Sequence, residues 1–142
     1  MTGDPPADGQ TGPPYLLDTH IWFWYLIGSE RLPPGLRGAI ERAREELWLS
    51  PISVWELSLL EQRRRVRLRD GAQRWIEQAL RHVPLHEAAL TGPIALRSVE
   101  LDLPHRDPAD RFIAATALAH GLTLMTVDER LTGAEWLATR SV

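Results

Sequence analysis

The sequence contains no cysteine and no lysine. The absence of cysteine excludes disulfides, thiolate zinc sites and cysteine nucleophiles, and it is compatible with an intracellular protein. Because all permanently basic side chains are arginines, the sequence also lacks the lysine of a P-loop, of a Schiff-base enzyme or of a phospho-receiver domain. These absences exclude several large enzyme classes before any motif is considered.

Charge and long hydrophobic runs are also limited. The formal net charge of −3 is not the basic excess that marks most nucleic-acid-binding domains, so RNA binding would depend on local arginines. The longest apolar run, at residues 21–27, is much shorter than the roughly 20 residues that span a bilayer. No basic segment followed by an apolar one marks a signal peptide. We therefore expect a cytoplasmic protein without a membrane segment.

Residues 1–14 differ in composition from the rest of the 142-residue chain. They consist mostly of Gly, Pro, Asp, Thr and Gln and offer almost nothing to bury, which predicts a disordered leader. Residues 15–142 have the length of one domain. Short apolar segments alternate there with longer helical patterns, which predicts an α/β fold with a short central parallel sheet and helices on both faces.

The predicted elements follow from these patterns. Strands are predicted at residues 15–17, 47–49, 122–127 and 136–137, and a short extended piece is predicted at residues 83–85. Helices are predicted between residues 18 and 28, from Pro33-Pro34 to residue 43, from Ser53 to the arginine run at 63–69, at 71–82, at 87–99 with an interruption at Gly92-Pro93, and at 108–120. Ser53 and Glu56 have the spacing of a capping box, and Gly121 is expected to end the last of these helices.

Several acidic residues lie either directly after a predicted strand or near the start of a predicted helix. Asp18 directly follows the first strand, and Asp128 follows the last buried strand. Because the carboxyl ends of parallel strands lie at one edge of a sheet, both acids are expected there. Asp110 and Glu56 lie near the starts of helices that return antiparallel to the strands, so they are expected at the same edge. The sequence therefore predicts that these acids converge.

Such a cluster is unfavourable without a cation, because two carboxylates about 5 Å apart repel by roughly 3 kcal/mol at an effective dielectric near 20. Mg²⁺ or Mn²⁺ prefers oxygen ligands, polarises a phosphodiester and lowers the pKa of a bound water. The alternative interpretation is that each acid caps or neighbours a helix start for stability alone. Asp107 either joins the site or caps the helix that begins with Pro108.

These acids lie in four segments: Leu17-Asp18-Thr19-His20, Ser53-Val54-Trp55-Glu56-Leu57, His105-Arg106-Asp107-Pro108-Ala109-Asp110-Arg111-Phe112-Ile113-Ala114-Ala115-Thr116-Ala117 and Thr126-Val127-Asp128. As a set they resemble the successive motifs of PIN-domain ribonucleases, and they are most similar to the VapC toxins of bacterial toxin–antitoxin pairs. The resemblance covers nearly everything after Pro14. It implies an endoribonuclease that depends on Mg²⁺ or Mn²⁺, usually a homodimer, which a cognate antitoxin keeps inactive.

The resemblance also assigns roles to individual residues. The acids assigned to catalysis and metal binding are Asp18, Glu56, Asp110 and Asp128. The accessory residues are Asp107, Thr126 and Thr19. Asp110 is preferred over Asp107 as the third acid because it opens the small-residue helix directly before Arg111. The expected reaction is in-line attack of water on an RNA phosphodiester, which leaves a 5′-phosphate and a 3′-hydroxyl.

Arginines are the candidates for RNA binding. Arg106 and Arg111 adjoin the acids, whereas Arg64 and Arg65 belong to the basic run, for which a solvated helix end is the favoured interpretation. The four consecutive aromatics at residues 22–25 cannot all face the sheet. They either offer a surface for an antitoxin helix or a second protomer, or they pack beneath loops.

Two other functions fit parts of the sequence. A phosphohydrolase acting on small phosphates would use similar ions, but residues 18–20 lack the second acid of a DxD phosphatase. A non-catalytic interaction module would bind a partner through the aromatic helix and would use the acids only as caps. Stabilisation by Mn²⁺ separates the module from the nuclease, because only the nuclease needs the ion.

Overall fold

The computed structural model describes residues 12–104 and 106–142. Residues 1–11, which form most of the predicted leader, and His105 lie outside the described residues. The strands are β1 (Tyr15–Leu17), β2 (Leu47–Leu49), β3 (His86–Glu87), β4 (Thr123–Met125) and β5 (Thr139–Arg140). The helices are α1 (Thr19–Ile27), α2 (Pro34–Ala43), α3 (Pro51–Gln62), α4 (Ala72–His82), α5 (Gly92–Glu100), α6 (Pro108–His120) and α7 (Glu129–Thr132).

The strands form one sheet in the order β3-β2-β1-β4-β5, and every neighbouring pair is parallel. β1 lies at the centre, where Tyr15 pairs with Leu47 on one side and with Thr123 on the other. The chain fills one half of the sheet after β1 and returns to fill the other half through α6. This reversal of direction at β1 is the place where open α/β sheets bind their ligands.

Helices cover both faces of the sheet, and β1 shows why. Tyr15 and Leu17 belong to one apolar cluster with α1 and α2, whereas Leu16 belongs to a second cluster with α6. Successive side chains of a strand point to opposite faces, so an all-apolar strand needs cover on both sides. The predicted fold class is therefore confirmed.

The prediction for α6 is confirmed in detail. The helix spans Pro108–His120, and Gly121 ends it in the left-handed conformation with a φ of 65°. Ile113, Ala114 and Ala117 are fully buried against the sheet. Small side chains allow this helix to approach the strands closely, because little volume separates the two backbones.

The predicted edge strand at residues 136–137 was wrong in position, and no strand was predicted at residues 86–87, directly after the extended piece at 83–85. The observed edge strands are β3 and β5, whose side chains are exposed or half-buried. β3 is placed by pairing of Trp48 with His86, and the two rings lie 4.8 Å apart between centroids. An edge strand needs no apolar side chains where it faces water, so hydrophobic patterning does not locate it.

The predicted capping box of Ser53 and Glu56 was also wrong. Ser50 is the N-cap of α3, and its hydroxyl accepts a hydrogen bond from the Ile52 amide at 3.1 Å. Pro51 occupies the first helical position, where its missing N–H leaves no donor unsatisfied. Ser53 therefore lies inside the helix and is fully buried.

Two further boundaries differ from the prediction. Residues 87–91 are not helical, and α5 starts at Gly92 with Thr91 as its N-cap, so Gly92-Pro93 begins a helix and does not interrupt one. α3 ends at Gln62, and Arg64 has a φ of 58°. The basic run at residues 63–69 is consequently a connection between α3 and α4, because a left-handed residue cannot continue an α-helix. Within the described part of the chain, no helix is both long and apolar enough to cross a bilayer.

Candidate functional site

Asp18 stands at the carboxyl end of β1 and is fixed there from three directions. Its amide donates to the Met125 carbonyl of the neighbouring strand at 3.0 Å. Its carboxylate accepts hydrogen bonds from the Thr19 amide at 2.8 Å and from the Thr126 hydroxyl at 2.7 Å. Only 8% of the residue is exposed. Asp18 therefore caps α1, and the same contacts hold its carboxylate in one orientation.

Thr126 connects Asp18 to Asp128. While its hydroxyl donates to Asp18, the same oxygen accepts a hydrogen bond from the Asp128 amide at 3.1 Å. Asp128 is in turn the N-cap of α7 and accepts from the Arg130 amide at 3.0 Å. The ends of the two central strands are thus joined through one buried hydroxyl, and their acids lie side by side.

The start of α6 supplies two more carboxylates to this edge. Asp107 is the N-cap and accepts from the Ala109 amide at 3.0 Å. It is exposed, whereas Asp110 in the first turn is 8% exposed. Capping and convergence are therefore compatible, since helices that start at the same edge of a parallel sheet bring their N-cap aspartates to that edge.

Glu56 completes the cluster from α3. The hydroxyls of Thr19 and Ser53 lie 2.9 Å apart and connect the start of α1 to α3. Burial raises the pKa of Glu56, the nearby Thr19 hydroxyl opposes this change, and the charges of Asp18 and Asp107 add to it. Because Glu56 is not part of a capping box, its position at this edge has no local structural explanation.

The charges of the acids act on one another. Burial, together with the charges of Asp18, Asp107, Asp128 and Glu56, raises the pKa of Asp110 to about 7. The pKa of Asp18 is also raised, chiefly by burial and to a small extent by Asp128, against the hydrogen bonds from Thr126 and Thr19. All five acids named from the sequence therefore share one electrostatic environment.

Arg130 is a member of the site that the sequence prediction missed. Its Nε and Nη2 donate to the two carboxylate oxygens of Asp128 at 3.1 and 3.0 Å, and Nη2 lies 3.9 Å from Oδ2 of Asp110. The hydrogen bond and charge of Asp128 raise the pKa of the guanidinium. In the sequence, Arg130 could have been recognised by its position two residues after an acid at a helix start.

Ser53 was predicted only as a helix cap. Its contact with Thr19 depends on the packing of α1 on α3, so the sequence did not reveal it.

The predicted RNA-binding arginines lie in different places. Arg106 is exposed directly before Asp107. Arg111 donates from Nε and Nη2 to the carbonyls of Ser98, Val99 and Leu101, and so ties α6 to the end of α5. Arg64 and Arg65 follow the far end of α3, a helix of 12 residues that is about 18 Å long at 1.5 Å per residue.

The aromatic residues of α1 mostly pack against the core. Trp22 is fully buried, and Phe23, Trp24 and Tyr25 are half-buried against the same cluster. The large exposed apolar side chains in the described ranges include Trp55 beside Glu56, and Leu96 and Val99 on α5. Packing beneath neighbouring elements is thus the better interpretation of residues 22–25.

The donor chemistry of the site fits a hard divalent cation, because carboxylate oxygens are its preferred ligands and their mutual repulsion favours a positive charge between them. The present arrangement is not that of a formed metal site. Across residues 12–104 and 106–142, no group of three acids or histidines is arranged to hold an ion. The guanidinium of Arg130 lies against Asp128 instead.

We expect Thr126→Val to lower the free energy of unfolding by about 1 to 3 kcal/mol, the range for buried polar groups left without a partner. Valine keeps the volume of threonine but can neither donate to Asp18 nor accept from the Asp128 amide. Chemical denaturation at neutral pH measures the change. Thr126→Ser retains the hydroxyl and is the matched control, so equal losses in the two variants would contradict the proposed link.

Comparison with known proteins agrees with this geometry. The family model of the PIN domain matches residues 15–137. The chain is 38% identical over 117 residues to ribonuclease VapC22 of Mycobacterium tuberculosis, and the match covers 82% of this chain and 88% of that relative.

Solved structures share the fold at lower identity. VapBC2 from Rickettsia felis, bound to a DNA fragment from its promoter, superposes with a TM-score of 0.66 at 18% identity, over 89% of this chain and 96% of that chain. A toxin–antitoxin complex from Klebsiella pneumoniae gives a TM-score of 0.65 at 24% identity with the same coverage. At these identities the likeness establishes the architecture, and the residues of the site carry the functional argument.

Proposed function

The chain belongs to the PIN-domain family, and on that premise we propose that it is a metal-dependent endoribonuclease and the toxin of a toxin–antitoxin pair. Its 38% identity to a VapC ribonuclease supports the activity. The observation that carries the proposal is the convergence of five acids at the end of β1, where each of the other four adds to the raised pKa of Asp110.

We assign metal binding to Asp18, Glu56, Asp110 and Asp128, with Asp107 beside them. Mg²⁺ or Mn²⁺ bound there would polarise the phosphodiester, stabilise the leaving oxygen and lower the pKa of the attacking water. The protein's own contribution is orientation. Thr126 and the Thr19 amide fix the carboxylate of Asp18 before any ion arrives, which reduces the reorganisation needed for binding.

The proposed reaction is hydrolysis of RNA. Water adds its oxygen to phosphorus in line with the breaking P–O3′ bond, and the 3′ oxygen leaves as a hydroxyl after taking up a proton. The products are a 5′-phosphate and a 3′-hydroxyl. Arg106, which is exposed next to Asp107, would contact a phosphate near the acids, whereas Arg64 and Arg65 would contact RNA only at a distance from the reacting bond. Arg111 is a weaker candidate for RNA binding because its side-chain N–H groups already donate to carbonyls of α5.

Two protein partners are part of the proposal. Several structural neighbours are toxin–antitoxin complexes, and we infer a cognate antitoxin for this chain. Trp55, which is 53% exposed beside Glu56, offers that antitoxin an apolar contact at the acidic edge. A homodimer is supported by Leu96 and Val99, which lie three residues apart on α5 and are 74% and 76% exposed. RNA as the substrate places the expected site of action in the cytoplasm.

The full chain, purified without its antitoxin, is expected to cleave a mixed RNA pool in Mg²⁺ or Mn²⁺ but not in a chelator. Labelling of the product ends tests for a 5′-phosphate and a 3′-hydroxyl. Thermal unfolding in the same buffers measures whether Mn²⁺ raises the midpoint. If neither ion produces cleavage or stabilisation, the nuclease proposal fails and the interaction module becomes the better explanation.

A further inference from the structure

A guanidinium group lies within the acidic cluster. Arg130, the second residue of α7, places Nε and Nη2 on the two oxygens of Asp128 in a forked contact. This is the arrangement in which arginine pairs best with a carboxylate. Because Nη2 also lies 3.9 Å from Oδ2 of Asp110, one side chain neutralises part of the charge on two of the proposed metal-binding acids.

We propose that Arg130 competes with the divalent ion for Asp128 and Asp110, so that binding of the ion requires the guanidinium to leave. The inference rests on the proposed metal-dependent function. Both oxygens of Asp128 face donors of Arg130. A cation approaching those oxygens meets a positive charge in direct contact with them, and the repulsion weakens its binding.

The arginine can move more easily than the acids. The Arg130 side chain is 52% exposed, whereas those of Asp128 and Asp110 are 23% and 11% exposed. Ion pairs at such exposure are weak because water and salt compete for both partners. Asp128 is anchored as the cap of α7 and through its amide to Thr126. Binding of an ion therefore displaces the guanidinium more readily than it moves Asp128.

This competition lowers the affinity for the ion and stabilises the metal-free protein. Without an ion, Arg130 offsets the repulsion that five neighbouring carboxylates create. With an ion, the same positive charge is unfavourable at that place. Loss of the arginine should therefore destabilise the metal-free protein and strengthen binding of the ion. A purely structural ion pair would produce only the first of these effects.

The first test compares Arg130→Gln with Arg81→Gln in the full chain. Arg81 is exposed in the last turn of α4, which leads to the start of β3 at the opposite edge, so both variants lose one positive charge. Titration calorimetry with Mn²⁺ is expected to give a Kd about threefold to tenfold lower for Arg130→Gln and an unchanged Kd for Arg81→Gln. The unfolding midpoint of metal-free Arg130→Gln should fall.

A second measurement uses only the unmodified protein, with the arginine side-chain signals assigned by triple-resonance spectra. In ¹⁵N spectra of the arginine side chains, the Nε signal of Arg130 is expected to move toward that of solvent-exposed arginines at saturating Mg²⁺. The Nε signal of Arg111, which donates to a carbonyl of α5, should stay in place. This experiment remains informative if the variant folds poorly.

The outcomes separate the inference from the function on which it rests. If the unmodified protein binds Mn²⁺ and Arg130→Gln binds it no more tightly, or if the Arg130 signal does not move, the competition is excluded while the nuclease proposal stands. Tighter binding in Arg130→Gln together with a moving signal establishes the competition. If neither protein binds Mn²⁺, the metal-dependent function and this inference are both overturned.

Discussion

Asp18→Asn is expected to lower the rate of RNA cleavage at saturating Mg²⁺ at least about a thousandfold, a loss of roughly 4 kcal/mol of transition-state stabilisation. Asparagine has the shape of aspartate but lacks its negative charge, so it is a much weaker ligand for a hard cation. Asp18 is also the most constrained of the acids, held by hydrogen bonds from Thr19 and Thr126. A neighbouring carboxylate cannot take its place at the centre of the sheet.

The same variant should fold at least as stably as the unmodified protein in the absence of metal. Burial and the charge of Asp128 raise the pKa of Asp18, which means that its ionised form is disfavoured in the folded state. A neutral asparagine avoids the cost of burying a negative charge, and its side-chain oxygen can still accept a hydrogen bond from the Thr19 amide. Because asparagine caps a helix about as well as aspartate, a lower cleavage rate combined with an equal or higher unfolding midpoint shows that the charge of Asp18 is needed for activity and not for folding.

Asp70→Asn is the matched control for this experiment. Asp70 is exposed in a turn with a φ of 65°, a conformation that asparagine tolerates well. The control makes the same chemical change far from the proposed site and also reveals any contaminating nuclease. Cleavage by Asp18→Asn at the rate of Asp70→Asn would remove Asp18 from the mechanism.

The metal-free protein is expected to lose about 2 kcal/mol of stability between pH 4 and pH 8, and Asp110 should account for most of the loss. Its pKa rises from 3.8 to about 7 on folding. Between these values the folded state binds more protons than the unfolded state, so the free energy of unfolding falls as the pH rises and levels off above the folded pKa. The full shift corresponds to roughly 4 kcal/mol, which we halve because solvent partly screens the group.

Denaturant unfolding across this pH range in a chelating buffer tests the expectation. Asp110→Asn should flatten the profile, since the amide does not titrate, whereas Asp70→Asn should keep the slope of the unmodified protein. Addition of Mg²⁺ at pH 8 should restore the stability of the unmodified protein, because the ion favours the ionised carboxylates. Equal slopes for Asp110→Asn and the unmodified protein would contradict the assignment of this pKa.

Local patterns predicted the centre of the fold and failed at its margins. β1, β2 and β4 are apolar because both faces of the sheet are covered, so each was identified from its sequence alone. β3 was not predicted and β5 was misplaced, because strands exposed at an edge have no comparable pattern. The start of α3 at Ser50 was missed because two serines compete for the cap, and Pro51 decides between them only through its missing N–H.

The sequence by itself determined that the acids of this protein meet at one edge. Asp18, Asp107 and Asp128 directly precede helices, and a parallel sheet brings such positions together whatever the packing of the side chains. Tertiary structure decided the charge balance among them. The partner of Asp128 is the Arg130 guanidinium, and the pKa of Asp110 depends on burial and on acids from four other places in the chain. Burial and distances between charges are properties of the packed chain, so no local pattern specifies them.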